Sequence, residues 1–177
     1  FLSFRSISSE RCCPYDVRRD GLNLGEACGA ILLSSKGNDT DIILSGGAIS
    51  NDANHISGPS RTGDGLYLAI RQAMEEAAVL AEDVSFMNTH GTATVYNDEM
   101  ESKAIHLAGL ETVPVHSLKS YFGHTLGASG VIESIICIHE LKENVLFGTL
   151  GYEKPGVSMP ILVQADHQEI PMKHCIK

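Results

Sequence analysis

A chain of 177 residues, 43% apolar and 20% charged, with a mean hydropathy near zero, is long enough for one domain with a buried core and reads as soluble and globular. Its formal charge of −9 argues against nucleic acid as a main partner, and no apolar run or leader pattern predicts a membrane span or a secretory signal. Five cysteines (Cys12, Cys13, Cys28, Cys137 and Cys175) form an odd set without C-x-x-C spacing, which fits neither a disulfide framework nor a zinc ribbon and predicts a reduced, cytoplasmic protein.

The chain opens on Phe1, so its true start is expected elsewhere. Residues 1–26 read as irregular and polar, with a turn at Pro14-Tyr15-Asp16 and a charged Arg18-Arg19-Asp20-Gly21. "GAILLSS" (29–35) and "DIILSGGAIS" (41–50) are apolar at consecutive positions, which predicts two strands covered on both faces and joined at Gly37-Asn38-Asp39. "NDANHISGPSRTGD" (51–64) is a loop rich in turn formers and long enough to be functional.

A helix is predicted from about Gly65 to Leu80, with Leu66, Ala69, Ile70, Ala73, Ala77 and Leu80 at helical spacing. "VSFMNTH" (84–90) reads as a short strand. A second helix is predicted from Asp98 to Ala108, with Asp98, Glu99 and Glu101 complementing the dipole of its first turn. "TVPVHSL" (112–118) reads as a strand, followed by a helix running to about Lys142. "VLFGTL" and "MPILVQA" read as further strands. The alternation gives a layered α/β domain.

Two segments stand out. "NTHGTAT" and "LKSYFGHTLGASGVIE" each lie where a strand ends and a helix begins, the place where ligand sites collect in α/β sheets. His90, Lys119 and His124 could together form a donor cluster for an oxyanion. Each taken singly has a bland alternative: His90 as a structural histidine, Lys119 as a solvated lysine, His124 as a core histidine bonded to a carbonyl. The small residues Gly127, Ala128, Ser129 and Gly130 serve either close approach of an anion to a helix start or tight helix packing.

"HGTAT" followed by "NDEME", together with "SLKSYFGHTLGASGVIE", resembles the two C-terminal signature motifs of the β-ketoacyl-acyl-carrier-protein synthases, condensing enzymes of the thiolase fold. "CPYDVRRDGLNLGEACGAILL" is similar to that family's segment P-F-D-x-x-R-x-G-x-x-x-G-E-G-A-G, and "SNDANHIS" to its loop near the acyl and pantetheine channel. Four ordered motifs at compatible spacing make a specific signal. The resemblance implies a thiolase-like layered α/β fold with a mixed sheet, truncated at both ends. Residues 1–48 would be the tail of the N-terminal half, and 49–177 the C-terminal half without its last strands.

Carried over by position, the resemblance makes His90 and His124 the histidines that hold a malonyl thioester carbonyl, and Lys119 the lysine that shapes the local field. It makes Thr92 and Thr94 the hydroxyls on the phosphopantetheine arm, and Glu133 a structural glutamate beneath the site. Asp52 to Ser57 would belong to a mobile gating loop, with Asp52 and Ser57 among the substrate contacts. The implied reaction is acyl transfer to cysteine followed by decarboxylative Claisen condensation, in fatty-acid or polyketide synthesis. The implied partners are an acyl carrier protein and a second ketosynthase subunit, alike or different. No cofactor of its own is expected, because the phosphopantetheine arrives on the carrier protein.

The nucleophilic cysteine is expected outside this chain, since only 89 residues precede His90 and none of the cysteines stands in the nucleophile's motif. A non-elongating homologue, such as a chain-length partner or a malonyl decarboxylase, is the alternative within the family. A metal or binding module built on His106, His116 and His139 is the alternative outside it, and lacks H-E-x-x-H spacing.

Overall fold

The computed structural model describes residues 6–38, 40–55 and 58–177. Its centre is a parallel sheet in the order β2-β1-β5, where β1 is Val84–Asn88, β2 is Val115–His116 and β5 is His174–Ile176. Helices α1 (Asp64–Ala77) and α2 (Val95–Leu107) pack against each other. Ile70 and Ile105 carry them into a core with Tyr15, Val84, Met87, Leu110, Val113, Val115 and Val163. Helix α4 (Ser129–Glu143) follows a one-turn helix α3 (Lys119–Phe122) and covers the other face of the sheet, where Phe86, Cys137 and Leu146 form a second cluster. The fold is therefore α/β, layered helix–sheet–helix.

An irregularity in the β1–β5 register between Val84 and Phe86 breaks the strict alternation of β1. It sends Val84 and Met87 to one core and Phe86 to the other. Full burial of a side chain such as Phe86 contributes about 1.5–3 kcal/mol. The antiparallel strands β3 (Val145–Leu146) and β4 (Gln168–Glu169) form a separate two-stranded sheet.

Several expectations need correction. Helix α1 ends at Ala77 because Ala78 turns left-handed at φ 52°, so Leu80 lies outside it and is exposed. "MPILVQA" is not a strand. Val163 makes a single parallel bridge to Val115, and its N–H bonds back to the Ile161 carbonyl in a tight turn.

"GAILLSS" and "DIILSGGAIS" form no strand either. The segment crosses α4 at Gly29 and α1 at Gly46, and no neighbouring strand accepts its backbone among the described residues. Leu32, Ile43 and Leu44 are exposed as a result. The turn between the two holds, with the Asp41 N–H bonded to the Asn38 carbonyl. Asp39, placed in that turn by the sequence, lies outside the described residues.

Residues 6–26 are irregular as expected but far from peripheral. Cys12, Tyr15, Asp16 and Leu22 are buried. The Asp16 carboxylate accepts the Arg18, Glu153 and Lys154 N–H groups and the Arg18 Nε, tying the P-Y-D turn to the loop after β3.

Candidate active site

Strands β1 and β2 are parallel neighbours with Asn88 opposite His116, so their C-terminal ends share one edge. The Thr89 N–H continues the pairing to the His116 carbonyl at 3.0 Å. His90 leaves β1 at that edge, and Lys119 leaves β2 at the start of α3. Ser117 locks the two exits together. Its hydroxyl donates to the Gly91 carbonyl at 2.8 Å and accepts the Lys119 N–H at 3.2 Å. Gly91 stands at φ 42°, and a Cβ there would sit 2.5 Å from the Ser117 Cβ, so a side chain is excluded both by space and by backbone conformation.

His124 lies between α3 and α4, and a short bridge holds its backbone. Its N–H donates to the Asn23 carbonyl at 2.7 Å and its carbonyl accepts the Gly25 N–H at 3.1 Å. The His90 and His124 rings meet edge to face, centroids 4.9 Å apart at 84°. On His124, Nδ1 accepts the Leu126 N–H at 3.1 Å and lies 2.9 Å from the Ser129 hydroxyl. That network assigns the proton of the neutral ring to Nε2.

Both rings are kept neutral. His90 is exposed, yet desolvation, then the Lys119 ammonium, lowers it to about 4 against the opposing charge of Glu133. His124 is half-buried and lowered to about 4 by desolvation, then by His90 and Lys119. A neutral imidazole is the form that can donate to an oxyanion without already being an imidazolium.

Lys119 is fully buried and ion-paired with the buried Glu133 of α4. The other Glu133 oxygen is ion-paired with Lys177, whose Nζ lies 2.7 Å away. Burial lowers Lys119 while Glu133 opposes the shift. Glu133 itself is lowered: burial raises it, but the two lysines prevail.

The model of the β-ketoacyl synthase C-terminal domain matches residues 42–153. The chain belongs to this family. It is 34% identical over 157 residues to 3-oxoacyl-[acyl-carrier-protein] synthase 2 of Rhizobium meliloti (strain 1021), covering 84% of this chain and 37% of that one. It is equally 34% identical, over 150 residues, to the polyketide biosynthesis malonyl-ACP decarboxylase PksF of Bacillus subtilis (strain 168), covering 81% and 36%.

Among solved structures, the ishigamide ketosynthase/chain length factor superposes with a TM-score of 0.85 at 26% identity, covering 99% of this chain and 45% of that one. The ketosynthase ApeO in complex with its chain length factor ApeC from Xenorhabdus doucetiae gives 0.80 at 29%, covering 98% and 43%. The chain thus spans less than half the length of these relatives, and its fold is that of the ketosynthases.

Of the remaining candidate residues of this synthase domain, Thr92 and Thr94 lie two and four positions after His90, and their hydroxyls bond each other at 2.9 Å. Thr92 is buried, and Thr94 precedes α2. Asp52 is not brought to the histidines. Its carboxylate accepts the Ser60 N–H within its own loop, and it lines a recess of about 330 Å³ against α1 with Ser50, Thr62 and Asp64. Ser57, paired with it by sequence, lies outside the described residues.

A Cβ on Gly127 or Gly130 would meet nothing within 4 Å among the described residues, so no contact described within this chain calls for glycine at either position. His116, offered above as a metal ligand, faces Glu140 in the core at 3.3 Å. Among the described residues, no three His, Cys, Asp or Glu side chains gather as a metal site.

No cysteine stands at a helix start. Cys12 is buried with its thiol on the Lys119 carbonyl at 3.4 Å, and burial raises its pKa. Cys137 lies inside α4, Cys175 in β5, and Cys13 and Cys28 in irregular chain.

Asp98 lies in the first turn of α2 as expected, but that helix begins at Val95 rather than Asp98, so Glu101 falls a turn further in. Both are buried and face the His90 loop. Glu101 accepts the His90 and Gly91 N–H groups at 2.7 Å each, the Asn97 amide and the Tyr15 hydroxyl. Asp98 accepts the Tyr15 and Ala93 N–H groups. Burial, then the charge of Glu101, raises Asp98 to about 7. A signal was available: Asp98, Glu101 and Ile105 are spaced i, i+3, i+7, so the acids share the face of α2 that enters the core.

Proposed function

We propose that this chain supplies the decarboxylating and condensing half of a β-ketoacyl synthase site. A malonyl thioester, presented on the phosphopantetheine arm of an acyl carrier protein, lies with its carbonyl oxygen between His90 and His124. The carboxylate's C–C bond breaks and carbon dioxide departs. The electron pair passes into the carbonyl, giving an enolate whose oxygen accepts hydrogen bonds from the two imidazoles. The enolate carbon then attacks the acyl group held on a cysteine of the N-terminal half, expelling the thiolate.

Lys119, fixed by Glu133, sets the positive field that favours the anion, and the Thr92 and Thr94 hydroxyls face the arm. Residues 1–48 complete the N-terminal half, whose other segments cover the exposed stretch 29–50. The intact enzyme is a cytoplasmic dimer of like or unlike ketosynthase subunits that carries no cofactor of its own. No helix among the described residues is long and apolar enough to cross a membrane.

The observation that carries this reading is the pair of neutral imidazoles at 4.9 Å beside a buried lysine–glutamate pair. Its test is carbon dioxide release from malonyl carrier protein by the intact protein. His90→Ala and His124→Ala are each expected to lose about 10²- to 10³-fold. Release within a few-fold of wild type in His90→Ala would overturn the assignment.

The likeness to PksF, a malonyl-ACP decarboxylase, favours a second reading in which the intact protein decarboxylates without condensing. Mass mapping after exposure to an acyl thioester separates the two. Stoichiometric acylation of one cysteine outside this chain supports condensation, and none supports the decarboxylase.

A further inference from the structure

The site holds a cation that no motif of the sequence singled out. Lys177 follows β5, the strand paired in parallel to β1, and is thereby carried beneath the same edge from which His90 leaves. Its Nζ lies 2.7 Å from the Glu133 oxygen that Lys119 does not occupy. The Lys177 side chain is 22% exposed and the Glu133 side chain 1%. A buried glutamate needs only one cation for neutrality, and Lys119 provides it. The second lysine therefore leaves the trio with one net positive charge, opposed in part by the Glu101 carboxylate, whose charge reaches Lys119.

We propose that Lys177 is a positioning residue of this site. From the side opposite Lys119 it clamps Glu133, fixing the carboxylate that aims the Lys119 ammonium. It also keeps one net positive charge beneath the histidine pair, where the malonyl carboxylate and then the enolate must reside. This role rests on the decarboxylation reading above, while the clamp itself rests on geometry.

The charged groups around His90 are consistent with that assignment. Lys119 from α3 and Lys177 just after β5 disfavour its protonation, and Glu133 from α4 favours it. The neighbouring His124 is itself neutral, and Glu101 of α2 engages the His90 backbone N–H. Removing Lys177 deletes one repulsive charge and frees the opposing carboxylate. Both changes move His90 protonation in the same direction, upward.

The experiment compares Lys177→Met and Lys177→Arg in the intact protein, with histidine titrations followed by NMR alongside carbon dioxide release. In Lys177→Met the His90 midpoint is expected to rise by about one pH unit, with the acid limb of the release profile moving up by the same amount. The maximal rate is expected to fall about tenfold or less, the scale of one lost charge near the site. Lys177→Arg, which keeps the charge, is expected to restore both.

A His90 midpoint unmoved in a folded Lys177→Met protein would overturn the proposal, leaving Lys177 as a surface partner of Glu133. The same shift in Lys177→Arg would overturn it too. The titration is independent of the parent reading, whose failure shows separately as undiminished release in His90→Ala.

Discussion

Residues 84–133 and residues 29–50 are comparably apolar in sequence, yet they fare oppositely. In the first, Phe86, Val115 and Lys119 are 0% exposed; in the second, Leu32 is 93% and Ile49 97% exposed. Around the histidines, the backbone donors of the His90 loop find carboxylates, and each strand finds a neighbour. Along 29–50 the side chains are strand-like, but no strand lies alongside among the described residues. Apolar character states what a segment can bury. Whether it does so depends on a partner that the segment does not encode.

The sharpest way to break this contrast is to remove the centre of the dense region. Glu101→Ala leaves the Tyr15 hydroxyl, the Asn97 amide and the His90 and Gly91 N–H groups without their acceptor. Several unsatisfied buried donors should cost on the order of 3–5 kcal/mol, read as a fall in the urea midpoint. Glu101→Gln, which keeps one acceptor oxygen, should cost less. Equal, small losses in both variants would show that the loop is held by Ser117 and packing rather than by the carboxylate.

The sequence made the site more legible than its supports. His90, Lys119 and His124 could be grouped because strand-to-helix junctions of neighbouring parallel strands share an edge, a consequence of short-range pattern alone. Glu101, Tyr15, Ser117 and Lys177 could not be grouped that way. Their partners lie 10, 86, 26 and 44 positions distant, and acids in a helix's first turn have a sufficient local explanation in the dipole. Residues 29–50 read as strands for the complementary reason. Consecutive apolar residues signal burial on both faces, and the signal is silent about which segments do the burying.

A smaller effect, and one that sharpens the contrast, is the response to acid. His90 and His124 lie near 4 against an ordinary 6.5, so the unfolded chain takes up these protons first. The stability they contribute is present above about pH 6.5 and lost as pH falls toward about 4. Asp98 acts oppositely. Raised from 3.8 to about 7, it contributes most below about 3.8 and loses that contribution as pH rises toward 7. Two histidines against one carboxyl leave a net loss on acidification. His124→Gln should therefore lose less stability than wild type between about pH 7 and about pH 5, measured as the difference of urea midpoints. An identical loss would place the titrating groups elsewhere.

The smallest expected effect tests the other region. In the 177-residue chain, Leu32 and Ile43 are 93% and 78% exposed, so Leu32→Ser and Ile43→Ser should change stability by no more than about 0.5 kcal/mol. Contiguous exposed apolar residues favour association, so the same variants should lower the fraction of oligomer in sedimentation at equal concentration. In an intact synthase, where the N-terminal half is proposed to cover this segment, each substitution should instead cost about 1.5–3 kcal/mol, the value of a buried aliphatic side chain. The two measurements belong together, because only their difference isolates the missing neighbour from the residue itself. Near-zero effects in both proteins would mean that nothing covers residues 29–50, and the contrast between the regions would then be intrinsic to this chain.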